Sequence, residues 1–251
     1  PSVTGPQNPD RHLMDVAVIN ALNDQIINRI NFGFLPLFGG EKAPTNPATI
    51  PAYGHDVGHS GYDPSLGHIY MTSQVLPNAD DPNPYVLPPP HTGELLAINA
   101  ATMQIDQRIV LPAYCSTPHG LTVDPEQHVA FLACTDFDQT TGLFANLLRV
   151  DLRTMTVIPA DPNTMRLASL PDIVRLDPTH HLLFVACAGG VTIFDETPGN
   201  FHRLGIYVVG KQTHTIAIVT DPQTQQLYLY FPMDIGGRPV LRIMRYNSNG
   251  R

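Results

Sequence analysis

The chain has 251 residues and is 43% hydrophobic, enough to bury a full core and too apolar for a disordered chain. Only 14% of residues are charged, against 25 Pro and 19 Gly, a balance that favours many short strands and turns over charged helix faces. The net charge of −8 argues against a generic basic binder of nucleic acid or anionic membranes.

No stretch approaches about 18 consecutive apolar residues, so no membrane span is expected. The chain opens at Pro1 without Met or a signal-like apolar region, which fits a leader already removed and leaves the compartment open. Its three cysteines, Cys115, Cys134 and Cys187, form no C-x-x-C pair, which excludes a zinc ribbon or a thioredoxin-like motif.

In chain order, residues 15–31 come first, and read alone they could form an amphipathic helix with Val16, Ile19, Leu22 and Ile26 on one face. An internal repeat overrides that reading. Residues 16–30 (VAVINALNDQIINRI) align without a gap onto 95–109 (LLAINAATMQIDQRI), whose surroundings alternate as strands do. Weaker copies follow at 148–157 and 191–196. Each is expected to be a hairpin around a polar turn.

Between these copies runs a second repeat. Asp63-Pro64, Asp124-Pro125, Asp177-Pro178 and Asp221-Pro222 are spaced by 61, 53 and 44 residues. Seven residues after each Asp stands an aromatic: Tyr70, Phe131, Phe184 and Tyr228. Each aromatic lies in a β-rich run (HIYMTS, VAFLAC, LLFVAC, LYLYFP), with another short alternating segment before the Asp. Pro presets φ and Asp bonds its own backbone, so each Asp-Pro marks a hairpin turn. Two Pro-rich insertions, 33–53 and 74–93, interrupt the regular spacing and are candidate binding loops or stiff spacers.

Two hairpins per unit give four strands, and in-phase units of roughly 40–50 residues are the signature of propeller blades rather than a β-sandwich. The expected architecture is all-β: one propeller domain over 1–251, with a half blade in 1–53 and blades from about 54, 117, 170 and 214. Two strands, three full blades and three strands do not close neatly, so the expectation is a propeller of four to five blades, incomplete at its N-terminus.

The pattern P-H-G-L-x-V-D-P…F-L-A-C, then L-P-D-I-V-R-L-D-P…L-F-V-A-C, then T-H-T-I-A…D-P-x-T…L-Y-L resembles the YVTN/YncE-like bacterial β-propellers, which are related to NHL-type propellers. The resemblance covers nearly the whole chain and is densest in its C-terminal units. It implies a secreted or periplasmic propeller, and about seven blades in a complete member. It implies no single chemistry, because related propellers include lactonases, lyases and binding proteins.

The first strand of a blade lies innermost, so the residues at its start crowd the central channel. Those residues are His55 (or His59), His119, Asp172 and His214. His119 and Asp172 each stand five residues before their Asp-Pro aspartate, while the others need a bulge or register change. Three imidazoles and a carboxylate suit Zn²⁺, Cu²⁺, Ni²⁺ or Fe²⁺ better than Ca²⁺. The alternative is that these groups cap strand starts and bond channel water.

A metal with an open position would support hydrolase, lactonase or lyase chemistry, with His59 or Asp56 as the nearest base. Otherwise the mouth and loops are expected to bind a small-molecule or protein ligand. His68, His128, His180 and His181 follow the Asp-Pro turns and are expected to be solvated. A Cys115–Cys134 disulfide and three reduced thiols are both open. No G-x-S-x-G, P-loop or G-x-G-x-x-G is present, which argues against a serine hydrolase, a nucleotide-binding enzyme and a Rossmann dehydrogenase.

Overall fold

The computed structural model describes residues 13–34, 53–77, 92–136, 144–210 and 213–247. Most of the insertions 33–53 and 74–93 lies outside the described residues. The described residues contain seventeen strands and no α-helix. Among the described residues, no helix is long and apolar enough to cross a membrane.

The leading hairpin pairs β1 (Leu13–Asn20) with β2 (Gln25–Phe34). Three four-stranded antiparallel sheets follow. The first blade holds β3 (Tyr53–Asp63), β4 (His68–Pro77), β5 (Thr92–Asn99) and β6 (Ile105–Val110). The second holds β7 (Thr117–Asp124), β8 (Val129–Thr135), β9 (Ala145–Asp151) and the two-residue β10 (Thr156–Val157). The third holds β11 (Pro171–Asp177), β12 (Leu182–Cys187), β13 (Gly190–Asp195) and β14 (His202–Tyr207). A three-stranded sheet closes the series with β15 (Ala217–Thr220), β16 (Leu227–Asp234) and β17 (Pro239–Arg245). The leading hairpin and this last sheet do not join, so the described blades form an open series.

The two sequence repeats correspond to two recurring turns. In the Asp-Pro hairpins the carboxylate accepts backbone N–H groups two or three residues on: Ser65 and Leu66 bond Asp63, Glu126 and Gln127 bond Asp124, Thr179 bonds Asp177, and Gln223 and Thr224 bond Asp221. The fourth residue after each Asp is left-handed: Gly67, His128, His181 and Gln225, with φ between 52° and 66°. The second hairpins turn alike. Asn20, Asn99 and Asp151 accept N–H bonds through their side chains, and Asp24, Met103 and Met155 take positive φ. The match between 16–30 and 95–109 is therefore a match of third and fourth strands. β10 is short because Pro159 and Pro162 follow it and cannot donate to a ladder.

The core lies between blades. Along β5, Leu95 and Ala97 pack toward the second blade, with Tyr70, Leu121 and Leu132, whereas Leu96 and Ile98 pack toward the leading hairpin, with Ile30 and Phe32. Burial on both faces is why the middle strands read as unbroken apolar runs. In the three full blades the aromatic seven residues after the Asp faces the following unit: Tyr70, Phe131 and Phe184 fall into three successive clusters, and Tyr228 of the last sheet is in none.

Cys115, in a 3-10 turn at Ala113–Cys115, is bonded to Cys134 at the end of β8, with Cα atoms 4.7 Å apart. Cys187 is a free thiol that burial pushes up to about 12, so it stays protonated and unreactive.

The histidines after the Asp-Pro turns are not solvated as a group. His128 Nδ1 lies 2.6 Å from the buried Asp63 of the preceding blade, and the His128 side chain is 14% exposed. His180 bridges Asp177 at 2.7 Å and the Gln225 carbonyl of the next sheet at 3.0 Å. His68 holds Asp106 at 3.0 Å. His181 is the more exposed member, at 3.7 Å from Glu196. In one case, His128 with Asp63, the turns bring side chains of successive blades together, which spacing along one chain does not reveal.

Candidate metal centre at the inner strand starts

The inner strands β3, β7 and β11 lie side by side, and each carries one extra residue, at mid-strand in β3 and near the start in β7 and β11. The register shifts fall between Val57 and Ser60, between Pro118 and Gly120, and between Pro171 and Val174. An extra residue bends the strand and re-aims its side chain. The bulges hold His59, His119 and Asp172, whose ligand atoms all lie within 4.8 Å of one another.

Asp172 Oδ1 is 3.0 Å from His119 Nδ1 and 3.6 Å from His59 Nε2. Tetrahedral zinc bonds of about 2.0–2.2 Å would put ligand atoms roughly 3.3 Å apart, between those two values. The imidazole rings tilt against each other with centroids 4.9 Å apart.

Close approach of the backbones makes this convergence possible. A Cβ at Gly120 would stand 1.8 Å from the Asp172 carbonyl oxygen, and one at Gly58 would meet Thr72 Oγ1 at 2.3 Å. Thr72, fully buried opposite the β3 bulge, donates its hydroxyl to the His119 carbonyl at 3.1 Å and lies 3.4 Å from that of His59. One side chain thereby ties both histidine backbones together.

Partial burial is the largest influence on His59 and lowers its pKa. The neighbouring His119 and Arg175 lower it further, against an opposing pull from Asp172. His59 is therefore biased toward the neutral imidazole, the form that binds metals.

Of the residues expected at the channel, the structure brings together His119, Asp172 and His59. His55 lies in β3 opposite Val75, but its side chain lies outside the described residues. His214 is exposed, precedes β15 and is not in the cluster. Asp56 accepts a bond from Gln74 Nε2 at 2.9 Å. Arg175 and Thr72 drew no attention in the sequence, because neither sits at a repeated position of the turns or strand starts.

No protein-family model matches the chain, and no curated protein matches it. Solved structures do. The Dos1 propeller is similar with 9% identity over 88% of this chain and 45% of that one, at a TM-score of 0.52. The β-propeller domain of the Trilobed protease from Pyrococcus furiosus is similar with 8% identity over 80% and 56% of the two chains, at 0.47. The dihydro-heme d1 dehydrogenase NirN, in complex with DHE, is similar with 12% identity over 92% and 49%, at 0.46. The chain spans about half the length of these structures. The likeness to the Dos1 propeller speaks for fold alone, and with the four-stranded blades it establishes the chain as a β-propeller.

Proposed function

We propose that this propeller binds a divalent transition-metal ion, Zn²⁺, Cu²⁺, Ni²⁺ or Fe²⁺, through His59, His119 and Asp172, and presents it at the channel mouth to a ligand. One observation carries the reading: three successive inner strands bulge where each supplies one donor, within 4.8 Å of the others. Two imidazoles and a carboxylate match the preference of these ions for nitrogen with oxygen. The finer assignment to YVTN/YncE-like propellers, and export, are part of the same proposal; the blade motifs support the first and the Cys115–Cys134 bridge supports the second.

A hydrolase or lyase is the second reading, favoured by the ligand count. Three protein ligands with an open position is the arrangement of catalytic rather than structural zinc. With His59 a ligand, Asp56 is the remaining candidate base.

The test is metal content of the full chain, purified without chelator or affinity tag and incubated with Zn²⁺ or Cu²⁺. Near-stoichiometric uptake is expected. His59→Ala, His119→Ala and Asp172→Ala should each weaken affinity about a hundredfold or more, beyond what losing an outer-shell partner costs. His214→Ala should leave it unchanged. No uptake by the parent overturns the metal reading.

A further inference from the structure

The bulges that aim His59 and His119 also take their backbones out of register. In β3 the pairing passes from Val57 with Ser73 to Ser60 with Met71, so Gly58 and His59 together face Thr72 of β4. In β7 it passes from Pro118 with Cys134 to Gly120 with Ala133, and His119 falls outside the paired register. A carbonyl displaced from a ladder still needs a donor. Here two of them turn to the same group. The Thr72 hydroxyl lies 3.1 Å from the His119 carbonyl and 3.4 Å from that of His59, on a fully buried side chain.

A hydroxyl carries a single proton, so the two carbonyls share it unequally. One belongs to the first blade and the other to the second. Without that proton, both carbonyls converge on a position that offers no donor. The contact is close: a Cβ at Gly58 would lie 2.3 Å from Thr72 Oγ1 and 2.7 Å from the His119 oxygen. The two imidazoles hang on these two backbones, with ring centroids 4.9 Å apart. Metal–ligand distances hold to within about 0.2 Å, so backbone spacing decides how well both rings reach one ion.

We propose that Thr72 is a positioning residue of the metal site: its hydroxyl, by holding the His59 and His119 carbonyls, fixes the spacing of the two imidazoles and so raises metal affinity. This rests on the metal reading above and adds to it a residue that touches no metal. Outer-shell groups that orient ligands act in this way, and their loss costs about 10–100-fold in metal affinity.

The experiment is a Co²⁺ titration of the full chain, followed by visible absorption, which reports affinity and coordination geometry together. Thr72→Ser and Thr72→Ala both lose the methyl group and differ in the hydroxyl alone. Thr72→Ser should bind Co²⁺ much as the parent does, whereas Thr72→Ala should bind about tenfold or more weakly, with an altered band shape. Thr72→Val, which keeps the volume and loses the hydroxyl, should follow Thr72→Ala; should either fail to fold, the other is set against Thr72→Ser. Leu229→Ala, a core truncation in the last sheet, should lower stability and leave Co²⁺ affinity unchanged. Equal affinity and spectra in Thr72→Ser and Thr72→Ala, or an equal loss of affinity in Leu229→Ala, overturns this inference and leaves the metal reading standing. Failure of the parent to take up Co²⁺ overturns both.

Discussion

At the Asp-Pro end of the inner strands, Asp63, Asp124 and Asp177 are at most 5% exposed, and each accepts backbone bonds from its own turn. Two of them also bond a histidine, Asp63 across to the next blade and Asp177 within its own turn. At the opposite end, Asp172 and His119 are the same residue types, yet their side chains are 26% and 51% exposed and the strands beneath them are bulged. Where aspartate and histidine lie in a regular turn, their bonding is spent on holding blades together. Where the ladder is interrupted, the side chains converge and stay accessible. Regularity marks the fastening, and irregularity marks the candidate site.

Asp63→Ala gives the sharpest test of that contrast. The change removes the acceptor of the Ser65 and Leu66 N–H groups and of the His128 ring, all at a half-buried turn, and empties a fully buried position. It should cost about 3–4 kcal/mol in urea unfolding. A loss below about 1 kcal/mol would show that the turn aspartates do not fasten the blades.

Glu196 gives a smaller effect with the opposite sign. It is 3% exposed and accepts a bond from Gln127. Burial first, then the hydrogen bond with Asp124 and the charges of Asp124, Asp195 and Glu126, push its carboxyl from 4.5 up to about 8. The folded protein keeps a proton that the unfolded chain releases in that interval. The associated stability is therefore complete below about pH 4.5 and lost as pH rises toward about 8. Glu196→Gln imitates the neutral acid. Near pH 9 it should exceed the parent by on the order of 2 kcal/mol, with little difference near pH 4. Parallel stability profiles for the two proteins would count against a neutral Glu196.

The smallest change is expected at the site itself. His119→Ala removes a half-exposed ring that no core cluster needs, so apo stability should stay within about 1 kcal/mol of the parent. A larger loss would make the cluster a structural fastening like the turns, and the contrast between the two ends would collapse.

The fold was largely legible because each blade repeats local chemistry. Asp-Pro with an aromatic seven residues on, and Asn20 matched by Asn99, mark hairpins without long-range information. The first strands of the four sheets after the leading hairpin begin at Tyr53, Thr117, Pro171 and Ala217. The site was half legible. His119 and Asp172 share a position relative to their turns, and that spacing identified them. His59 stands four residues before its aspartate rather than five, and only the bulge at Val57–Ser60 aims it inward. Bulges leave no trace in periodicity, so the choice between His55 and His59 stayed open in the sequence. The pairing of His128 with Asp63 depends on how blades stack, and no single blade encodes it.

Because each strand alternates between two neighbours, every core cluster of the described residues is owned jointly by two adjacent units, and none of them spans three. Cohesion is then a sum of nearest-neighbour terms, as in a one-dimensional stack, with no central keystone. Loss of the three-stranded sheet would uncover the cluster of Phe184, Val191 and Ile193, and leave the three clusters behind it intact. Such a series frays from its flanks inward. The second blade, covered on both faces and cross-linked at Cys115–Cys134, is the last to let go, and the histidine it carries is at the middle of the proposed metal centre.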